Sequence, residues 1–93
     1  MRAIAYTDLA DAITAVNRSR FGLQAGVFSD GARVLRSLGT ELEAGGIILN
    51  DVPTYRADNM PYGGVKDSGI GREGVRYAME DFSERKVVVS WNG

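Results

Sequence analysis

Neither cysteine nor histidine occurs among the 93 residues of this chain. Disulfides, zinc sites of the usual ligands, thiol nucleophiles and imidazole bases are therefore excluded together. Long apolar runs are missing as well. None approaches the roughly 20 residues that a bilayer span needs, so no membrane helix is expected. Charge of one sign is also lacking: 11 basic and 12 acidic residues leave a formal charge of -1, with no surplus to hold a nucleic-acid backbone. Met1-Arg2-Ala3-Ile4 leads directly into an apolar pattern, without the longer apolar region and small-residue cleavage site of a secretory signal, which points to a cytoplasmic protein. Length itself is short. A chain of this size forms one small domain or part of one, and it buries only roughly 60–68% of its unfolded surface, so a thin core is expected unless something else adds to it.

What is present is an ordinary globular composition, 44% apolar and 25% charged, with its apolar residues in alternating strand and helix periods. Ala3-Ile4-Ala5-Tyr6 reads as a strand. Thr7 is a candidate N-cap for a helix from about Asp8, with Leu9, Ala12, Ile13 and Val16 on one face and Gly22 as its left-handed terminator. Ala25-Gly26-Val27-Phe28-Ser29 reads as a second strand, and Asp30-Gly31 opens a second helix lined by Val34, Leu35, Leu38 and Leu42. Gly45 is expected to stop that helix. Ile47-Ile48-Leu49 has the continuous aliphatic character of a parallel strand covered on both faces. The spacing predicts an α/β chain built on a three-stranded parallel β-α-β-α-β unit. A third helix is expected from about Arg72, with Val75, Ala78, Met79 and Phe82 on one face. The sequence closes on Lys86-Val87-Val88-Val89-Ser90-Trp91, a strand pattern.

Between Asn50 and Gly71 lies a stretch with both prolines, Pro53 and Pro61, and no helical or strand period. Loops of more than roughly 12–15 residues within compact domains are usually functional or disordered. Gly69-Ile70-Gly71-Arg72-Glu73-Gly74 has the spacing of a dinucleotide-binding loop and opens a helix. However, the polar Val65-Lys66-Asp67-Ser68 precedes it where a buried strand belongs, and no acidic residue stands twenty positions on, where Val89 and Ser90 lie. The plainer reading is a tight turn into a helix. Ser68 and Ser83 have no histidine to activate them, and Asp51, Asp58 and Asp67 read as solvated turn residues. Arg56 has two open readings. It can clamp an anionic group bidentately, or pair locally with Asp51 and Asp58.

The same loop carries a resemblance. Met60-Pro61-Tyr62-Gly63-Gly64-Val65-Lys66-Asp67-Ser68-Gly69, continued by Gly71-Arg72-Glu73-Gly74, is similar to the P-F-G-G-x-K-x-S-G-x-G-R-E-x-G signature near the C-terminus of NAD(P)-dependent aldehyde dehydrogenases. Phe21-Gly22-Leu23-Gln24-Ala25-Gly26-Val27-Phe28 resembles that family's Y-G-L-x-A-x-V-F segment. Leu42-Glu43-Ala44-Gly45 with Asn50 resembles its L-x-A-G-x-x-x-x-N stretch, and Phe82-Ser83-Glu84-Arg85-Lys86-Val87-Val88 its closing Y-T-E-x-K-x-V. Gly46 departs from the threonine usual after that L-x-A-G glycine, and Tyr62 stands where phenylalanine is commoner.

The resemblance implies part of an enzyme that oxidises an aldehyde to a carboxylic acid with NAD or NADP. Residues 1–82 would be the C-terminal part of the catalytic domain, with 51–70 as its substrate-anchoring loop region, and 83–93 the oligomerisation strand. The family's cysteine nucleophile, general-base glutamate and cofactor-binding domain match no residue here, so this chain alone is expected to be inactive and to bind no cofactor. It further implies that Tyr55, Arg56 and Tyr62 wall the aldehyde entrance, and that Lys86, Val87, Val88, Val89, Ser90 and Trp91 join a neighbouring subunit in a homo-oligomer. For Arg56 it sets the anion clamp level with the ion pair, since the motif is closest to members acting on lactaldehyde, glyceraldehyde phosphate, phosphonoacetaldehyde or succinate semialdehyde. Two alternatives remain: a free-standing α/β module binding phosphate or nucleotide at the glycine-rich turn, and a purely structural module that associates through strand edges.

Overall fold

The computed structural model describes residues 2–92. Met1 and Gly93, the outer bounds of the two expected regions, lie outside the described residues. The element order is α1 (Leu9–Asn17), β1 (Phe21–Gly22), β2 (Gln24–Val27), α2 (Ala32–Glu41), β3 (Gly46–Leu49), β4 (Val65–Lys66) and α3 (Val75–Asp81). The α/β reading holds, and its centre is the β2-α2-β3 unit. There Gln24, Ala25, Gly26 and Val27 pair in parallel with Gly46, Ile47, Ile48 and Leu49. Ile13 of α1 and Leu38 and Leu42 from α2 and its C-cap are buried together, with Leu9, Ala25, Val27, Val34 and Ile47 packed around them. These belong to the helix faces that the three-and-four spacing marks out, although Val16 of the expected α1 face stays 52% exposed. No helix among the described residues is long and apolar enough to cross a membrane.

Several boundaries differ from the sequence reading. Ala3–Tyr6 lies in no strand, so the parallel sheet has two strands rather than three. An apolar alternation describes which faces can be buried, but a strand also requires a backbone partner. The first helix begins one residue later than expected. Its cap is therefore Asp8, not Thr7, and Asp8 Oδ1 accepts from the Ala10 N–H at 2.9 Å. Gly22 does not terminate it; Arg18 caps the helix in a right-handed conformation, and Gly22 belongs to β1. The second helix ends at Glu41, where Leu42 turns extended, so Gly45 is not its stop. Gly74 precedes the third helix with φ 107°, and the helix starts at Val75 rather than near Arg72. Lys86 to Trp91 lies outside every helix and strand of the described residues.

Candidate functional site

The loop after β3 is fastened to β2. Asn50 takes φ 57°, a left-handed conformation that asparagine tolerates better than most residues. From there its N–H donates to the Val27 carbonyl at 2.6 Å, while its Oδ1 accepts from the Ser29 N–H at 2.8 Å. The loop then passes so close over Gly26 that a Cβ there would lie 2.6 Å from the Asp51 carbonyl oxygen and 2.9 Å from the Pro53 Cδ. Gln24 secures the next turn. Its Nε2 donates to the Pro53 and Tyr55 carbonyls at 2.7 and 2.8 Å. Its side chain lies over Gly46, where a Cβ would come 2.8 Å from the Gln24 Cγ. The departure from threonine at Gly46 thus leaves the space that the Gln24 anchor uses.

The far end of the loop is fastened to α1 and β1. β4 pairs antiparallel with β1, Phe21 opposite Lys66 and Gly22 opposite Val65. Lys66 Nζ donates to the Asn17 and Ser19 carbonyls at 2.7 and 3.2 Å, at the C-terminal end of α1 where a cation suits the helix dipole, and it meets the Glu43 carboxylate at 3.0 Å. Arg20 Nε donates to Asp67 Oδ2 at 2.7 Å. Ser68 Oγ accepts from the Gly22 N–H at 2.8 Å, so this serine holds backbone and has no nucleophile's surroundings.

Between the two fastenings the candidate residues meet. Tyr62 and Glu73 form an isolated antiparallel bridge, Tyr62 N–H donating to the Glu73 carbonyl at 3.1 Å and Glu73 N–H to the Tyr62 carbonyl at 2.6 Å. The Arg56 guanidinium lies over the Tyr62 ring, 5.4 Å from its centroid, and its Nη2 stands 3.4 Å from Glu73 Oε2. Arg56 thus pairs with Glu73, not with Asp51 or Asp58. The local reading counted charges close in sequence, whereas the bridge brings one from 17 positions away. Tyr55 is half exposed, and its backbone is what Gln24 holds. Arg56 and Tyr62 therefore share one face, with Tyr55 beside them in the chain. Sequence reasoning missed Glu73 and Gln24 as parts of this site. Glu73 lay within a motif already read as a turn, and Gln24 occupied a variable position of a strand segment. The arrangement can recognise: a planar cation on an aromatic face is suited to a carboxylate, phosphate or sulfonate.

The glycine-rich turn does not fit a dinucleotide. Gly69, Gly71 and Gly74 all take positive φ, as a tight turn requires. The position a phosphate would approach is held by the Asp81 carboxylate, whose Oδ2 accepts from the Arg72 N–H at 3.1 Å and would lie 2.7 Å from a Cβ on Gly71. A carboxylate there repels a pyrophosphate, which weighs against reading this turn as a phosphate cradle.

Against known proteins, the model of the aldehyde dehydrogenase family matches residues 1–88. A lactaldehyde dehydrogenase of Methanococcus maripaludis (strain S2) is 49% identical over 85 residues, 91% of this chain and 18% of that protein. An aldehyde dehydrogenase of Physcomitrella patens, solved in complex with its reaction product succinate, superposes with a TM-score of 0.86 at 47% identity. That match covers 94% of this chain and 18% of the moss enzyme. A glyceraldehyde-3-phosphate dehydrogenase of Methanocaldococcus jannaschii, solved with NADP, superposes at 0.79 with 42% identity, over 84% of this chain and 17% of that one. The chain spans under a fifth of the length of these relatives.

Proposed function

The chain belongs to the aldehyde dehydrogenase family, and from this we infer that it supplies the substrate-entrance loop and a subunit-contact segment of an enzyme oxidising an anionic short-chain aldehyde to its carboxylic acid. Residues 1–82 act as part of the catalytic domain, 51–70 as the substrate-anchoring region, and 83–93 as the contact segment. One observation carries the substrate class: the Arg56 guanidinium laid on the Tyr62 ring at the centre of the fastened loop. Tyr55 and Tyr62 supply the apolar wall, and Arg56 receives the anionic end of the substrate. The moss relative's succinate and the archaeal relative's phosphorylated substrate belong to the same charge class. Hydride acceptance falls to NAD or NADP bound by other parts of the enzyme, because Asp81 holds the only glycine turn of dinucleotide spacing in this chain.

The test compares Arg56→Ala with the parent in the complete enzyme, using an anionic and a neutral aldehyde of similar size. Losing a charge-assisted pair at a half-exposed guanidinium should raise KM for the anionic aldehyde about tenfold and leave the neutral one nearly unchanged. Equal effects on both would remove the anion clamp. The 93 residues alone should form no NADH from any aldehyde, having no thiol to form the thiohemiacetal. Turnover by purified chain free of host enzyme would overturn that.

A further inference from the structure

We propose that Gln24 is a positioning residue for Arg56, coupled to Gly46 opposite it on β3, and that this pair sets how strongly the enzyme prefers an anionic aldehyde. The proposal rests on the anion-clamp reading of Arg56 given above. Gln24 stands on β2 in parallel register with Gly46, and its Nε2 serves two acceptors on one short stretch of loop. It donates to the Pro53 carbonyl at 2.7 Å and to the Tyr55 carbonyl at 2.8 Å. Only the NH2 end of the amide can serve two carbonyls, so the side chain has one orientation here. Within the same stretch the Tyr55 N–H donates to the Val52 carbonyl at 3.2 Å, closing a turn. The Tyr55 carbonyl belongs to the planar peptide unit whose nitrogen is that of Arg56. Holding that oxygen fixes the plane from which the Arg56 side chain departs toward the Tyr62 ring, where its guanidinium lies 5.4 Å from the centroid. A long side chain meets an anion in one geometry only when its backbone is held.

Gly46 takes no positive φ, so backbone conformation does not call for glycine there. Space does. A Cβ would come 2.8 Å from the Gln24 Cγ, 3.0 Å from its Oε1 and 3.2 Å from its Cδ. The atom struck first lies near the root of the side chain, so relief requires a turn about χ1 that swings the amide off both carbonyls. Glycine loses more conformational freedom on folding than any other residue. Its presence in β3 without a conformational need therefore points to the room it leaves for the anchor. Every one of these contacts is made between atoms of this chain. The path runs from Gly46 through the Gln24 amide and the Tyr55 carbonyl to Arg56, and a change at either strand residue reaches the guanidinium without touching it.

The experiment measures kcat and KM in the complete enzyme with an anionic and a neutral aldehyde of similar size, and reads the ratio of the two kcat/KM values. The variants are Gln24→Ala, Gln24→Glu, Gly46→Ala, the Gln24→Ala/Gly46→Ala double and Arg56→Ala. Gln24→Ala should lower the ratio about threefold to tenfold, part of the loss expected for Arg56→Ala, with KM for the anionic aldehyde rising. Gln24→Glu keeps the side chain's size but has no N–H to donate, so it should lower the ratio at least as far, and it serves as the test if the alanine variant folds poorly. Gly46→Ala should lower the ratio in the same direction by displacing Gln24. In the double variant the struck atom is gone, so the ratio should fall no further than in Gln24→Ala alone. Losses that simply add in the double variant would overturn the coupling. An unchanged ratio in both Gln24 variants, with Arg56→Ala still selective, would make Gln24 a structural anchor only and leave the clamp standing. A non-selective Arg56→Ala would overturn the clamp and this inference with it.

Discussion

At Gly45 a methyl group in place of the α-hydrogen would fall on the Gly63 carbonyl oxygen and lie 3.0 Å from the Gly64 Cα. The atoms it would strike are backbone, which cannot swing aside as a flexible side chain can. Gly45→Ala should therefore destabilise the fold by about 1–3 kcal/mol, as overpacking does, and loosen the glycine pair that precedes β4. Gly39 is the opposite case. It lies inside α2, and a Cβ there would have nothing within 4 Å. Gly39→Ala should stabilise by about 0.5–1 kcal/mol through helix propensity. Urea unfolding of both variants checks the pair, and a stabilised Gly45→Ala would mean that the two glycine segments do not approach this closely. In the sequence Gly45 reads as a helix stop, because a glycine after a helical period is a local signal. The contact that requires it comes from 18 positions on, and no local pattern reports it.

Among the elements, α1, α2 and the β2–β3 pair were legible because each carries a periodic apolar face that the core uses. β1 and β4 were not. Each is two residues long, and their short backbone pairing is reinforced by side chains, Lys66 on the Asn17 and Ser19 carbonyls and Arg20 on Asp67. α3 shows the reverse: its apolar face of Val75, Met79 and Phe82 reads clearly, yet these side chains remain exposed. A helical period reports that a face can be buried, not what covers it. The loop itself was recognised by its length and motif, but its anchors were not, and Gln24 carries the most consequence. Gln24→Leu removes both donors to the Pro53 and Tyr55 carbonyls and leaves the β2 backbone ladder in place. Two lost hydrogen bonds, each contributing about 0.5–1.5 kcal/mol, should release the loop with little change in the global melting midpoint. Trypsin cleavage after Arg56, followed by mass spectrometry, should accelerate about tenfold. Unchanged cleavage would show that Gly26 and Asn50 suffice to fasten the loop.

As a whole the molecule leaves much of itself uncovered. Its accessible surface is 7988 Å², against about 5,200 Å² for a compact protein of this mass. Its radius of gyration is 18.0 Å, against about 12 Å for a compact chain of this length. Ile13, Leu38 and Leu42 form the buried core among the described residues, and a two-stranded sheet offers two bare edges and little independent stability. Val88 is 82% exposed and Trp91 92%, in a segment rich in β-formers that pairs with no strand among the described residues. Unpaired backbone of this kind recruits strands from other chains. The expected outcome is a dimer or higher oligomer in which Lys86 to Trp91 of one copy extends a sheet of another, with the apolar face of α3 available to be covered in the same event. Size-exclusion chromatography with light scattering across micromolar concentrations reads this directly, and a stable folded monomer of 10.0 kDa would refute it. Val88→Pro separates this segment from any other contact surface. Proline removes one ladder donor from the middle of the segment, so the mass should fall toward monomer or the chain should unfold. Val88 makes no part of the buried core, so a folded Val88→Pro chain of unchanged mass would assign the association to the β2–β3 edges or to α3 instead.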